Sequence, residues 1–232
     1  MKKTLLALLS ASLLHGEEKA KLIFEDDFER KESQEEKEEI GKGWGSNSVK
    51  RANGNKQVDL KDGAMHITFH PSADHAVSVT HEAKFQNGMV ALRFMLPNKE
   101  DSLGLNFADL DYKEVHAGHI CMARIKTTEV GISDLKTGAM NKKIREQRLT
   151  KSLTPDLVKL LQKKSRKFPN KLEPGKWHKL IVRIYGNVMT VTINEKEVAK
   201  FSSTGIGHPT KKMLRLSVPK KAIVDDVRIY SL

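Results

Sequence analysis

The chain has 232 residues and carries 41 Lys or Arg against 29 Asp or Glu, for a formal net charge of +12. Its one cysteine, Cys121, cannot form an internal disulfide, so the fold depends on a hydrophobic core. This excludes a small disulfide-stabilised domain, and Cys121 is most simply a small buried hydrophobe.

The first residues have the pattern of a secretory signal peptide. Lys2 and Lys3 precede the apolar residues 4–14, and the small residue Gly16 follows. An apolar core of about 11 residues is too short to span a bilayer, which needs ~20 residues. A buried amphipathic helix is the alternative, but no polar face is present. We predict a Sec-type signal at residues 1–16. The mature protein is then secreted or periplasmic, is not transmembrane and has no nucleic-acid partner.

Residues 17–232 are predicted to form a single β-sandwich domain. Short runs of alternating polar and apolar residues are separated by turn residues such as Asp62-Gly63, and such alternation places successive side chains on opposite faces of a strand. In the first half of the chain, the predicted strands are residues 21–28, 64–69, 76–81, 88–96, 101–107, 118–125 and 128–133.

A basic segment then interrupts the strand pattern. Residues 141–179 carry thirteen Lys or Arg against three acidic residues. The Thr-Pro-Asp sequence at 154–156 is typical of a helix start, and the leucines and valine of 157–161 form an apolar stripe at helical spacing. Because Pro169 disfavours a helical residue before it, the helix should end near Phe168. We predict a helical basic insertion at about 140–173, which is either a solvated surface or a docking site for anionic envelope polymers.

The clearest strand pattern follows the insertion. Residues 177–201 alternate in polarity and are interrupted at Gly186-Asn187 and again at 194–196, which predicts three antiparallel strands joined by tight turns. Further strands are predicted at 213–218 and 223–230. About a dozen short strands with frequent turns are typical of an all-β, two-sheet antiparallel sandwich, or jelly roll.

Several segments resemble those of exported concanavalin A-like, or laminin-G-like, sandwich proteins. They are FEDDFER (24–30), Trp44 after two glycines, LKDGAMHIT (60–68), PGKWHKLIVRIYGNVMTVTINEKEV (174–198) and VDDVRIY (224–230). Within that superfamily the chain is most similar to the 3-keto-disaccharide hydrolase-like group, over nearly all of the mature chain except the insertion. The resemblance implies a jelly roll that presents one sheet face to a glycan, with its first and last strands side by side.

The resemblance implies less about activity, because this fold hosts lectins, glucanases, lyases and adhesion modules. The keto-disaccharide group usually has an Asn-Ser-Gly segment and then a Glu-x-Gln strand. Residues 103–106 read Leu-Gly-Leu-Asn and residues 114–116 read Glu-Val-His, so both motifs are altered. We predict an exported protein that binds or processes carbohydrate. The alternatives are a hydrolase of a keto disaccharide and a non-catalytic module that docks anionic polymers.

The candidate site is the polar stretch 106–119. Glu114 and His116 share a strand face and are the candidate catalytic pair, because a carboxylate and an imidazole can perform acid–base chemistry. A polar loop leading into a strand is the alternative. Sugars need directed hydrogen bonds and aromatic faces, so the candidate substrate-binding residues are Asn106, Asp109, Tyr112, His119 and Trp44.

A structural calcium ion is a further implication of the resemblance. Neighbouring first and last strands would bring Asp27 near Asp226, and Ca²⁺ takes six to eight oxygen ligands. The alternative is that these aspartates bond turn amides and offset the charges of Arg30 and Arg228. No other cofactor is predicted.

Overall fold

A computed structural model describes residues 20–232, so the predicted signal peptide at 1–16 lies outside the described residues. Within the described part, no helix has the length and apolar character needed to cross a membrane. The helical elements are α1 (Ser48–Arg51), a 3₁₀ turn (His116–Gly118), α2 (Lys142–Leu149) and α3 (Pro155–Lys163). The strands are β1 (Lys21–Asp26), β2 (Gly45–Ser46), β3 (Val58–Lys61), β4 (Ala64–Thr68), β5 (Val77–Phe85), β6 (Gly88–Met95), β7 (Ser102–Ala108), β8 (His119–Lys126), β9 (Glu129–Asp134), β10 (Ser165–Pro169), β11 (Trp177–Tyr185), β12 (Val188–Ile193), β13 (Lys196–Ser202), β14 (Lys211–Val218) and β15 (Lys221–Ser231).

These strands form two antiparallel sheets, as predicted. Sheet 1 has the order β13-β12-β11-β6-β15-β4-β3, and β1 also pairs with β15. Sheet 2 has the order β10-β9-β8-β7-β14-β5-β2. The predicted meander at 177–201 is confirmed as β11, β12 and β13. The predicted pairing of the first and last strands is also confirmed, since Phe24 lies opposite Ile229.

The core lies between the sheets and is built from the apolar positions of the alternating pattern. Val90 and Val182 of sheet 1 and Leu105 and Leu216 of sheet 2 are all 0% exposed. Burying one such side chain contributes about 1.5–3 kcal/mol. Cys121 belongs to this core, and burial raises the pKa of its thiol to about 12. Because the thiolate is the nucleophilic form, Cys121 is chemically inert at neutral pH.

The insertion contains more structure than the single predicted helix. The side chain of Asn141 caps α2, and that of Thr154 caps α3 by accepting a hydrogen bond from the Leu157 amide, as predicted for this helix start. The prediction that the helix extends to about Phe168 is wrong, because α3 ends at Lys163. The next residues form β10, an edge strand that pairs with β9, and a proline is tolerated at such an edge.

Candidate functional site

Two rows of side chains cross the outward face of sheet 2. Their neighbours along each strand, such as Leu105 and Ala123, point into the core, so these rows point away from it. Row 1 consists of Thr80, Arg215, Asn106, Met122, Ser133 and Ser165, which lie opposite one another on successive strands. Row 2 consists of Ser78, Ser217, Gly104, Arg124, Gly131 and Lys167. We call the two rows together the polar face; neither row contains an acidic residue.

Row 2 forms a shallow trough because most of its side chains are small. A Cβ atom added to Gly104 would lie 3.3 Å from the Ser217 Cβ and 3.4 Å from the Met122 Sδ. The space above Gly131 is open, with no atom within 4 Å of an added Cβ. The guanidinium of Arg124 borders this trough, 3.5 Å from the Ser102 Oγ and 3.7 Å from the Met122 Sδ. The trough is therefore open to a ligand at Gly131, whereas Gly104 is buried beneath Ser217 and Met122.

Asn106, His119 and Arg215 form a polar cluster beside the trough. The His119 Nδ1 lies 3.0 Å from the Asn106 Oδ1 and 3.2 Å from the Arg215 Nη1. A second guanidinium nitrogen, Nη2, donates to the carbonyl oxygen of Ala117 at 2.8 Å. The Asn106 oxygen can only accept and the guanidinium can only donate, so one tautomer of the neutral ring satisfies one of these two contacts and not both. Burial, followed by the charge of Arg215, lowers the pKa of His119 to about 4, so the ring is neutral at pH 7.

The start of the insertion forms one rim of the polar face. The His116 amide donates to the Met140 carbonyl at 2.8 Å, and the Lys142 amide donates to the Glu114 carbonyl at 3.0 Å. The intervening turn has Ala117 at φ 49° and Gly118 at φ 70°, and an added Gly118 Cβ would lie 2.5 Å from a backbone oxygen. Only glycine fits there, so this turn is fixed against the strand ends.

Basic side chains crowd this rim. Burial lowers the pKa of His116, and the charges of Arg145, Lys142 and Arg215 lower it further. His116 is exposed and lies near His119, with 6.4 Å between the ring centroids. Burial and the neighbouring basic side chains therefore favour the neutral form of both imidazoles.

A small cleft lies at the end of row 1, between sheet 2 and the insertion. Its volume is about 200 Å³, and it includes Ser133 and Ser165 of row 1. Leu161 and Lys164 line it from the α3 side, and Arg148 lines it from α2. The polar face thus extends from Thr80 on β5 to a cleft under the insertion.

A larger depression of about 790 Å³ lies at the edge of sheet 1, under residues 31–35. Its charged groups already satisfy one another: the Lys56 Nζ lies 2.7 Å from Glu32 and 2.6 Å from Asp59. Arg124 and Arg215, in contrast, have no carboxylate partner within residues 20–232. Groups that are paired offer less to a ligand, so the polar face is the stronger candidate site.

The structure brings together three of the residues selected from the sequence, Asn106, His116 and His119. Glu114 is exposed on the same rim, but its backbone, rather than its carboxylate, makes the contact with α2. Among the described residues of the two rows there is no second carboxylate to face it across a sugar. The acid–base pair Glu114 and His116 therefore stays a prediction.

Asp109 and Tyr112 occupy a separate cluster behind the rim. Asp109 is 3% exposed and accepts hydrogen bonds from the Thr210 hydroxyl and the Asp111 amide, with His208 Nε2 3.4 Å away. Burial would raise its pKa, but the hydrogen bonds from Thr210 and Asp111 outweigh this and lower it. The Tyr112 ring packs against His208, with 4.7 Å between centroids. These contacts hold the β7–β8 loop and leave the Asp109 carboxylate fully engaged.

Trp44, expected to offer a sugar-stacking face, instead lies in the core at 7% exposed. Its indole nitrogen donates to Asp26 at 2.9 Å, and its ring packs 5.8 Å from the Phe24 ring. Trp177, at the start of β11, is 37% exposed, with the Arg93 guanidinium 4.8 Å from its ring centroid. Neither ring lies on the polar face, where Met122 provides the apolar surface.

The aspartates proposed for calcium are engaged by other groups. Asp27 accepts a hydrogen bond from the Glu29 amide at 3.3 Å, and Asp226 lies 3.5 Å from the Arg93 Nη1. The neighbouring Asp26 binds Arg30 at 2.6 Å. Within the described chain, no group of three or more His, Cys, Asp or Glu side chains is arranged to hold a metal ion. These donors do not fit the oxygen-rich shell of Ca²⁺, and we derive no role for it.

Arg124 and Arg215 were not selected from the sequence. Each is a single charged residue between apolar neighbours, in Ala123-Arg124-Ile125 and Leu214-Arg215-Leu216. That pattern identifies an outward position on a strand with one buried face. It does not reveal that β8 and β14 are both neighbours of β7, which is what brings the two arginines to one face.

Two antiparallel sheets with a polar outward face define a concanavalin A-like jelly roll, the fold of its structural neighbours. The laminarinase from Rhodothermus marinus has a TM-score of 0.58 at 10% identity, over 91% of this chain and 97% of that chain. The LamA variant from Z. galactanivorans, in complex with laminaritriose and laminaritetraose, has a TM-score of 0.52 at 16% identity, over 90% and 98%. The carbohydrate-binding module CBM66 from Bacillus subtilis has a TM-score of 0.52 at 9% identity, over 80% and 93%.

The chain belongs to the family of 3-keto-alpha-glucoside-1,2-lyase-like domains, whose model matches residues 33–223. No curated protein matches it in sequence. At identities of 9–16%, the structural neighbours establish the fold alone.

Proposed function

We propose that this protein binds a glycan along the polar face of sheet 2. The observation that carries the proposal is a row of directed hydrogen-bonding groups, held on strands beside a trough that is open at Gly131. The guanidinium groups of Arg215 and Arg124 offer donors, the His119 ring and the row hydroxyls offer further hydrogen-bonding groups, and Met122 offers an apolar surface to a sugar ring. Membership of a carbohydrate-processing family and a fold shared with glucanases and a carbohydrate-binding module support the same proposal.

Binding is favoured over hydrolysis by what the rows contain. A retaining glycosidase needs two carboxyl groups about 5 Å apart across the scissile bond, and an inverting one needs a wider pair. The two rows of the described sheet carry amide, hydroxyl, imidazole and guanidinium groups instead. Export through the pattern at residues 1–16 would place such a protein among extracellular or envelope glycans.

Lyase chemistry is the second candidate, and a specific observation favours it. His116 is exposed and its pKa is lowered, so at neutral pH its imidazole is available as a proton acceptor at the rim. Glu114 lies two residues away in the chain. The family name describes an activity on 3-keto-glucosides, and this chemistry is what Glu114 and His116 would perform.

Filling the trough tests the proposed site directly. Gly131→Trp places a large side chain in open space, so it should block the trough without straining the sheet. We expect glycan-array signals of the wild-type protein to be lost in this variant and kept in Thr190→Trp, a matched substitution on the outward side of sheet 1. An array that is unchanged by Gly131→Trp would refute the location of the site. Turnover of a 3-keto-glucoside that falls about a hundredfold in Glu114→Gln, with binding kept, would establish the lyase candidate instead.

A further inference from the structure

The polar face carries two cations that no carboxylate of residues 20–232 neutralises. Arg124 contacts only the Ser102 hydroxyl and the Met122 sulfur, and Arg215 contacts only the His119 ring and the Ala117 carbonyl. Two arginines elsewhere in the described chain do have such partners: Arg30 pairs with Asp26 at 2.6 Å, and Arg93 pairs with Asp225 at 3.0 Å. The two arginines of the polar face therefore lack the counter-charge that Arg93 has on sheet 1.

Both arginines are also partly withdrawn from water. Each is half-buried, and burial lowers the pKa of both guanidinium groups. Removing a charge from water costs free energy unless an opposite charge or hydrogen bonds offset it. The neutral contacts described above offset only part of that cost, because each guanidinium has five N–H donors. An anion at this position would satisfy the remaining donors and gain charge-assisted hydrogen bonds.

The sheet register places Arg124 and Arg215 on the two strands that flank β7. Arg124 lies opposite Gly104 and Arg215 lies opposite Asn106, and both partners belong to the central strand β7. Strand spacing puts the two Cα atoms about 12 Å apart, one on each flank of β7. A ligand lying across β7 would approach both side chains. On the adjacent rim, Lys142 and Arg145 add to the positive potential that acts on His116.

We propose that the glycan recognised by this face is anionic, a sugar chain whose carboxylate or sulfate groups are bound by Arg124 and Arg215. This inference rests on the proposed glycan-binding function and specifies its ligand class. Arginine forms paired, parallel hydrogen bonds to such groups, so it gives orientation as well as attraction. The basic insertion then acts as the rim of the same site and attracts the anionic chain to it, rather than as a separate docking module.

Calorimetric titration with a matched set of oligosaccharides tests the inference. The probes are hexagalacturonate, its methyl ester, neutral maltohexaose, a carrageenan oligosaccharide that carries only sulfate, and polyglutamate, which has carboxylates but no sugar rings. We expect hexagalacturonate or the carrageenan to bind at least about tenfold more tightly than the ester, the maltohexaose and the polyglutamate, as charge-assisted hydrogen bonds require. The comparison of the first two identifies carboxylate or sulfate as the group bound.

Substitutions assign the effect to the two arginines. Arg124→Met should weaken binding of the preferred anionic probe by about tenfold to a hundredfold, and Arg215→Met should do the same. Arg124 makes only long contacts within the protein, so its variant retains the fold even if Arg215→Met loosens the cluster around Asn106. Lys200→Met, on an exposed position of sheet 1, is the matched control and should bind like the wild-type protein.

Three results would overturn the inference. One is equal affinity for hexagalacturonate and its methyl ester, with no preference for the sulfated probe. Another is equal affinity for polyglutamate, which would show attraction to charge without recognition of sugar. The third is that Arg124→Met and Lys200→Met weaken the affinity for the anionic probe by the same factor. In each case, the proposed binding function would stand if the array shows binding of neutral glycans that Gly131→Trp abolishes. A blank array would refute both the binding function and the anionic ligand class.

Discussion

Replacing Asp134 with asparagine should destabilise the sandwich at the point where the insertion joins sheet 2. Asp134 is 1% exposed at the end of β9. Its Oδ1 accepts from the Thr137 amide at 2.9 Å, and its Oδ2 accepts from the hydroxyls of Thr137 at 2.5 Å and Ser203 at 2.6 Å. The Gly205 amide donates to Oδ2 at 3.0 Å, and the Lys164 Nζ lies 3.5 Å away.

The expected loss follows from these contacts. Asparagine keeps one acceptor oxygen, which fits best at the more crowded Oδ2 position. Its NH₂ group then faces the Thr137 amide, and an unpaired buried donor costs about 1–3 kcal/mol. The remaining hydrogen bonds lose their charge assistance, which is about half their strength. We expect Asp134→Asn to lower the free energy of unfolding by about 3 kcal/mol, within the range for breaking one side of a buried ion pair.

Urea denaturation at pH 7 measures this loss, with Asp74→Asn as the control. Asp74 pairs with Arg51 at 3.2 Å, but its side chain is 65% exposed, so its removal should cost less than about 1 kcal/mol. Burial would raise the pKa of Asp134, yet hydrogen bonds from Ser203 and Thr137 outweigh this and lower it below 3.8. Its contribution is therefore full above pH 3.8 and declines as pH falls further. A loss below about 1 kcal/mol in Asp134→Asn would refute this account of the junction.

Two further predictions concern stability. Lys211 is 0% exposed and donates to two backbone carbonyls at 2.8 Å, and burial lowers its pKa from 10.5 to about 8. Between pH 8 and 10.5 the unfolded chain then binds more protons than the folded protein does, so the free energy of unfolding of the wild-type protein should rise by about 3 kcal/mol across that window. The free energy of unfolding of Lys211→Met should stay constant over the same window. Replacing residues 139–163 with two glycines should preserve cooperative unfolding, because the deletion keeps β10 and joins two residues that are already close. A Cβ atom added to Gly138 would lie 3.0 Å from the Lys164 Cβ. Loss of a single sharp urea transition would show that α2 and α3 belong to the core.

The elements predicted well were those with strong local signals. The alternation at 177–201 fixed three strands and their turns, because only one register buries Val182 and Val191 together. The Thr154 cap fixed the start of α3. The end of that helix was missed because the sequence before Pro169 favours helix locally, whereas pairing with the free edge of β9 supplies backbone hydrogen bonds that the isolated segment lacks.

The candidate site was predicted only in part, for the same physical reason. Asn106, His116 and His119 lie close together in the chain, so one polar stretch identified them. The large amphipathic side chain of Trp44 is suited to a binding surface or to the core. Its hydrogen bond to Asp26, 18 residues away in the chain, holds it in the core, and the local sequence does not reveal that bond. Single residues without a local partner, such as Arg124 and Arg215, gave no signal as a pair.

By itself, then, the sequence determined the all-β class, the strand meander and the basic character of the insertion. Each depends on periodicity, turn residues or composition, which act over a few neighbouring residues. The meeting of the terminal strands was implied by the resemblance to concanavalin A-like proteins. Only the tertiary structure decided which side chains share a face, because β7, β8 and β14 become neighbours through connections as long as the segment between residues 127 and 210. The unpaired arginines of the polar face, on which the proposed ligand class depends, are a product of that strand order.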